Sequence, residues 1–201
     1  MMDVYDNIVR LADQSPHARI EAVGHLSKAG EMAVGPLLSM LLDQSQPPHA
    51  RACAAKALGN IRSLKAESGL IAALQDPDMV VRCPAAMALG KLGSPRAALP
   101  LSRALSDESF FVRKFAADSL IGVIRECRTP EKLMQVLGAI AGSIPDEPSW
   151  HPGSRGAMAR LVREIEAYPA KLMARSAEGC REAQAKAGSR PSKGRMAGRL
   201  V

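Results

Sequence analysis

An arginine recurs at a nearly fixed interval. Arg19, Arg51, Arg82 and Arg113 lie 32, 31 and 31 residues apart. Each opens the same apolar pattern. After Arg51 come Ala54, Ala55, Ala57, Leu58, Gly59 and Ile61. After Arg82 come Ala85, Ala86, Ala88, Leu89, Gly90 and Leu92. After Arg113 come Ala116, Ala117, Leu120 and Gly122, and the first copy is looser, with Ala22, Val23, Leu26 and Gly30. A unit of about 31 residues cannot bury its own apolar face and must stack on its neighbours.

The apolar positions fall at i, i+3, i+4 and i+7, which predicts an amphipathic helix after each arginine. A Gly-containing break follows, then a second apolar run: Leu37, Leu38, Leu41 and Leu42; Leu70, Ile71 and Leu74; Leu99, Leu101 and Leu105. The expected unit is a helix–turn–helix. Aromatic residues make up 3% of the chain, so the core must come from small aliphatic contacts, as between close helices and not in a β-sandwich.

The tetratricopeptide aromatics and the ankyrin Thr-Pro-Leu-His are absent. The string Asp-x-x-x-x-Val-Arg-x-x-Ala-Ala-x-Ala-Leu-Gly, read at 76–90 and, with variation, at 107–122, resembles the short HEAT-like repeat of the phycobilisome-lyase type. The resemblance covers residues 13–142. It implies an all-α, right-handed α-α superhelix of four to five helical hairpins. It also implies a structural ladder, in which Arg19, Arg51, Arg82 and Arg113 join neighbouring repeats through Asp76 and Asp107. Asp13, Asp76 and Asp107 stand six residues ahead of their arginines, and Ser45 holds that place before Arg51.

Residues 1–142 are expected to hold the repeats behind an N-terminal capping helix from Asp3 to Ala12. Residues 143–153 carry three prolines and read as a loop. Residues 154–187 are expected to form C-terminal capping helices, and 188–201 a disordered basic tail. The net charge is +7. From Lys171 onward eight Lys/Arg face two Glu, giving +6; the 19 basic and 18 acidic residues before it leave +1. Nucleic acid or an anionic surface is therefore expected only at the tail. No apolar run is long enough to span a membrane, and the start has no basic and apolar leader segment. With four scattered cysteines and no C-x-x-C pair, a reduced, cytoplasmic setting is expected.

No Ser/His/Asp or Cys/His arrangement supports catalysis, and no cofactor is expected. His17 and His49 are equivalent residues of adjacent repeats, but a metal site would need further ligands. Iron-binding HEAT proteins of the deoxyhypusine hydroxylase kind carry His-Glu pairs; here Ala18, Leu26, Ala50 and Pro152 follow the histidines. The second helices are expected to line a concave face, presenting Ser39, Met40, Ile71, Ala72, Ser102, Arg103, Met134 and Gln135. That strip has one charge, too few for phosphates, and lacks the aromatic and acidic groups of HEAT-like DNA glycosylases. The expected role is a non-enzymatic scaffold that docks a partner protein there, with Trp150 as a further anchor. The alternatives are an enzyme or subunit of the phycobilin-lyase type, implied by the resemblance alone, and binding through the tail.

Overall fold

The computed structural model describes residues 3–140, 155–157 and 159–168. Residues 3–140 form the helices α1 (Val4–Arg10), α2 (Pro16–Ala29), α3 (Glu31–Leu42), α4 (Pro48–Ile61), α5 (Glu67–Ala73), α6 (Met79–Leu92), α7 (Ala98–Arg103), α8 (Phe110–Glu126) and α9 (Pro130–Ile140). Residues 155–157 and 159–168 are also helical. The described residues contain no strand. None of their helices is long and apolar enough to cross a membrane.

The helices alternate between two layers. The even-numbered ones, each carrying a ladder arginine, lie side by side; the odd-numbered ones cover them. Pro16 and Pro48 open α2 and α4, where the missing amide is no loss. Ser15 and Asp78 cap α2 and α6 with their side chains. α2, α4 and α6 end on Gly30, Arg62 and Gly93, all with positive φ. Leu26, Leu58, Leu89 and Leu120, seven residues after each arginine, are buried in one core with Leu37, Leu70, Leu101 and Leu133.

The hairpins are phased differently from the sequence expectation. Of its two neighbours in sequence, each arginine helix packs more closely on the one before it: α2 on α1, α4 on α3, α6 on α5 and α8 on α7. The reason lies in the loops. Arg51 donates to the Gln46 carbonyl, and Arg82 to the carbonyls of Asp76 and Pro77, so each arginine binds its helix to the preceding turn. α1 is thus the first half of a hairpin as well as the end of the stack.

Within the even-numbered layer the backbones nearly touch. A Cβ on Gly59 would lie 2.7 Å from the Ala88 Cβ and 2.8 Å from its Cα, and one on Gly90 would lie 2.8 Å from the Ser119 Cα. In the odd-numbered layer the contact at Gly69 comes instead from the Leu38 side chain. Gly59→Ala should therefore destabilise the stack by about 1–3 kcal/mol through overpacking, despite a helix-propensity gain of ~1 kcal/mol. At Gly24 a Cβ would meet nothing within 4 Å, so Gly24→Ala should stabilise by about 0.5–1 kcal/mol. Paired urea melts check both signs.

Candidate functional site

The ladder is a chain of buried guanidinium–carboxylate forks. Arg51 Nε and Nη2 donate to the Asp76 carboxylate at 3.0 and 2.9 Å. Arg82 repeats this on Asp107 at 2.9 and 3.1 Å. The Arg51 and Asp76 side chains keep only 4% and 1% of their accessible surface. Asp76 therefore holds two repeats at once: its carboxylate takes Arg51 and its carbonyl takes Arg82. Burial alone would raise the Asp76 pKa. Hydrogen bonds from Arg51, the Asp78 amide and Gln44, with the Arg51 charge, hold it below the usual carboxylate range. Arg82 is pushed above its ordinary value, first by its bonds to Asp107.

The copies are not identical. Asp13, Asp43, Asp76 and Asp107 each accept from the amide two residues on, closing the same turn. In the second copy that acid is Asp43, not an equivalent at Ser45, because the loop is two residues longer. Arg19 donates to the carbonyls of Asp13 and Gln14. The residue 25 positions on, where Arg51 and Arg82 find an aspartate, is Gln44 for Arg19. Arg113 donates to the carbonyls of Asp107 and Glu108.

A second stitch runs across α2, α4 and α6. Asn60 Nδ2 donates to Ser27 Oγ at 3.2 Å, and Lys91 Nζ donates to Asn60 Oδ1 at 2.8 Å. Arg62 Nε reaches the Lys91 carbonyl at 2.8 Å from a left-handed backbone, φ 60°. At the far end Arg160 pairs with Asp118 at 2.7 Å and Arg125 with Glu164 at 3.0 Å. The Tyr168 hydroxyl donates to the Arg125 carbonyl at 2.7 Å. Residues 159–168 therefore continue the stack beside α8.

The expected strip lies on α3, α5, α7 and α9, but only part of it faces outward. Ser39, Ala72, Arg103, Met134 and Gln135 are exposed; Met40 and Ile71 are half-buried against the core. Ser102 is fully buried and donates to the Leu99 carbonyl, so it is not open to a partner. The burial pattern also shifts the register. Leu37 and Leu41 correspond to Leu70 and Leu74, 33 residues on, so Ser39 is equivalent to Ala72 and Met40 to the buried Ala73. A cleft of about 440 Å³ at the α1 end is lined by Tyr5, Ile8, Pro36, Ser39, Met40, Asp43 and Gln46. Trp150 and the basic tail lie outside the described residues.

The even-numbered helices turn a richer surface outward. Relative to each arginine, positions −2, +5 and +9 lie opposite the buried leucine at +7, given 100° per residue. Val80, Phe111, Lys56, Met87, Lys28, Asn60 and Lys91 occupy these places and are exposed. Between them Cys53, Cys83 and Phe115 are half-buried. Nothing in the arginine repeat points to these side chains; reading the same helical positions across copies would have found them.

The histidines do not converge. His17 lies 3.6 Å from Glu21, His25 3.1 Å from the Asn7 amide oxygen, and His49 3.4 Å from the Ala12 carbonyl. Among the described residues no group of three or more His, Cys, Asp and Glu could hold a metal. Burial raises the thiol pKa of Cys53, Cys83 and Cys127, which disfavours a reactive thiolate. Glu67 is buried with one carboxylate oxygen unpartnered and the other 3.7 Å from Arg96.

A family model for HEAT repeats matches residues 36–122 and 67–144. These matches begin within α3 and at the start of α5, the same phase as the observed hairpins. No curated protein matches the sequence. Among solved structures, the complex of CpcE and CpcF of phycocyanin lyase from Nostoc sp. PCC7120 is similar at 23% identity and a TM-score of 0.63, covering 79% of this chain and 96% of that one. An engineered protein is similar at 20% identity and a TM-score of 0.55, covering 82% and 80%. At these identities the likeness is one of fold.

Asp76→Ala leaves a buried guanidinium without its carboxylate and should cost about 3–5 kcal/mol. Asp76→Leu combined with Arg51→Met should cost far less than the two single changes summed. The lowered Asp76 pKa gives stability that is present above the unfolded value near 3.9 and lost as pH falls through the folded one. The acid-side loss of stability below about pH 4 should thus be shallower in the double variant. Denaturant melts at pH 3 and 7 check both statements.

Proposed function

We propose that this chain, which belongs to the HEAT repeat family, is a non-enzymatic scaffold that docks a partner protein on the outward side of α2, α4, α6 and α8. The observation that carries the reading is the exposure of Val80, Met87 and Phe111 on that layer. Phe and Met are enriched at protein interfaces. In a curved two-layer stack the layer with the closer spacing lies inside the bend, and the Gly59–Ala88 and Gly90–Ser119 approaches give this layer that spacing. A concave surface brings several helices onto one ligand. The strip of Ser39, Ala72, Arg103, Met134 and Gln135 offers one large apolar anchor, Met134, and its residues remain the competing surface.

The test is photo-crosslinking in extract of the native cell. A benzophenone residue is placed at Met87 in one variant and at Ala72 in another, since both side chains are exposed. A discrete adduct from position 87 only is the expected result. An adduct from position 72 only would move the surface to the other layer. No adduct from either would overturn the scaffold reading.

A further inference from the structure

We infer that the surface of α2, α4, α6 and α8 selects an acidic amphipathic helix, a deduction that rests on the docking reading above. The surface carries apolar groups on α6 and α8 and lysines on α2, α4 and α6. The apolar groups Val80 and Phe111 sit two residues before the arginines, and Met87 five after. Lys28 and Lys91 sit nine residues after, and Lys56 five after. On α6, Met87 and Lys91 are one turn apart, about 6 Å of rise. Lys56 lies in the row of Met87 on the neighbouring helix, about 8–10 Å away.

The charge of this surface is not cancelled from within. Lys28, Lys56 and Lys91 meet no carboxylate among the described residues, and Lys91 donates only to the neutral Asn60 oxygen. The acids nearby are already engaged. Glu21 pairs with Arg10 and His17, and Asp118 with Lys114 and Arg160. Three cations on the same face as exposed apolar groups call for carboxylates beside an apolar stripe, which is what an amphipathic acidic helix presents. The lysines have no aromatic partners arranged for base stacking: Phe115 is covered by Lys114 at 4.9 Å, and Phe111 rests on Phe110. The chain's own end, at +6 from residue 171 onward, has the wrong sign to occupy the site.

The test selects displayed random peptides of about 20 residues, some 30 Å if helical, against the full chain. Recovered peptides are then titrated by fluorescence anisotropy against the full chain and against Lys56→Glu combined with Lys91→Glu. Both lysines are exposed, and circular dichroism confirms the variant's fold. Acidic sequences with an apolar stripe are expected, weakening at least about tenfold on charge reversal and also in high salt. Neutral or basic binders, acidic binders indifferent to the reversal, or no binders would overturn the inference. The crosslinking experiment separates the two levels. Adducts at position 87 without acidic selectivity would keep the surface and reject this chemistry, whereas no adduct at 87 rejects the surface itself.

Discussion

A buried guanidinium fixes how one repeat sits on the next. Arg51 cannot shed its charge, and it sits where water does not reach. Every placement of α4 against α6 must therefore keep its fork on Asp76 and its remaining donors on the preceding turn. Leucine and alanine contacts would tolerate sliding by a fraction of a turn; a bidentate fork does not. Such pairs add little net stability over well-packed apolar groups. Their effect here is on geometry: the same relation recurs from α6 to α8 through Arg82 and Asp107. Two successive joints are thereby held by the same fork.

That fixed relation allows the even-numbered helices to close in on one another. Gly59 faces Ala88 and Gly90 faces Ser119, with no room for a methyl group. The interlayer core is filled by leucines from both sides, so the two layers are unequally spaced. Arg62 belongs to the same arrangement. It holds a left-handed terminus that Gly93 adopts more easily at the end of α6, a cost of about 1–2 kcal/mol, and its side chain bonds the end of α6 across the joint.

Much of this was legible because a repeat tests itself. The Ala/Leu pattern named four helices, and the burial of Leu26, Leu58, Leu89 and Leu120 follows it. Two things were hidden. The hairpin phase depends on which loop an arginine bonds, and spacing alone does not distinguish the turn before it from the turn after it. The one-residue slip between Ser39 and Ala72 arises because the link after α4 carries a 3₁₀ turn, Leu64–Ala66, that the link after α2 lacks. Counting from the arginine of each copy misplaced Met40, and it could not reveal that Ser102 points inward.

The candidate surface was harder to see for a physical reason. Joint residues are tied by geometry, so they repeat; outward residues at positions −2, +5 and +9 are free of that constraint and vary between copies. His17, His49, Val80 and Phe111 share one position, and Gly24, Lys56, Met87 and Asp118 another. In this stack the two faces of an even-numbered helix differ in constraint. The arginine side keeps the stack in register, while the opposite side is available to be shaped to one ligand. Variation at an exposed position is then the place to look for specificity, and here it puts Val80, Met87 and Phe111 on one face with lysines that meet no carboxylate among the described residues.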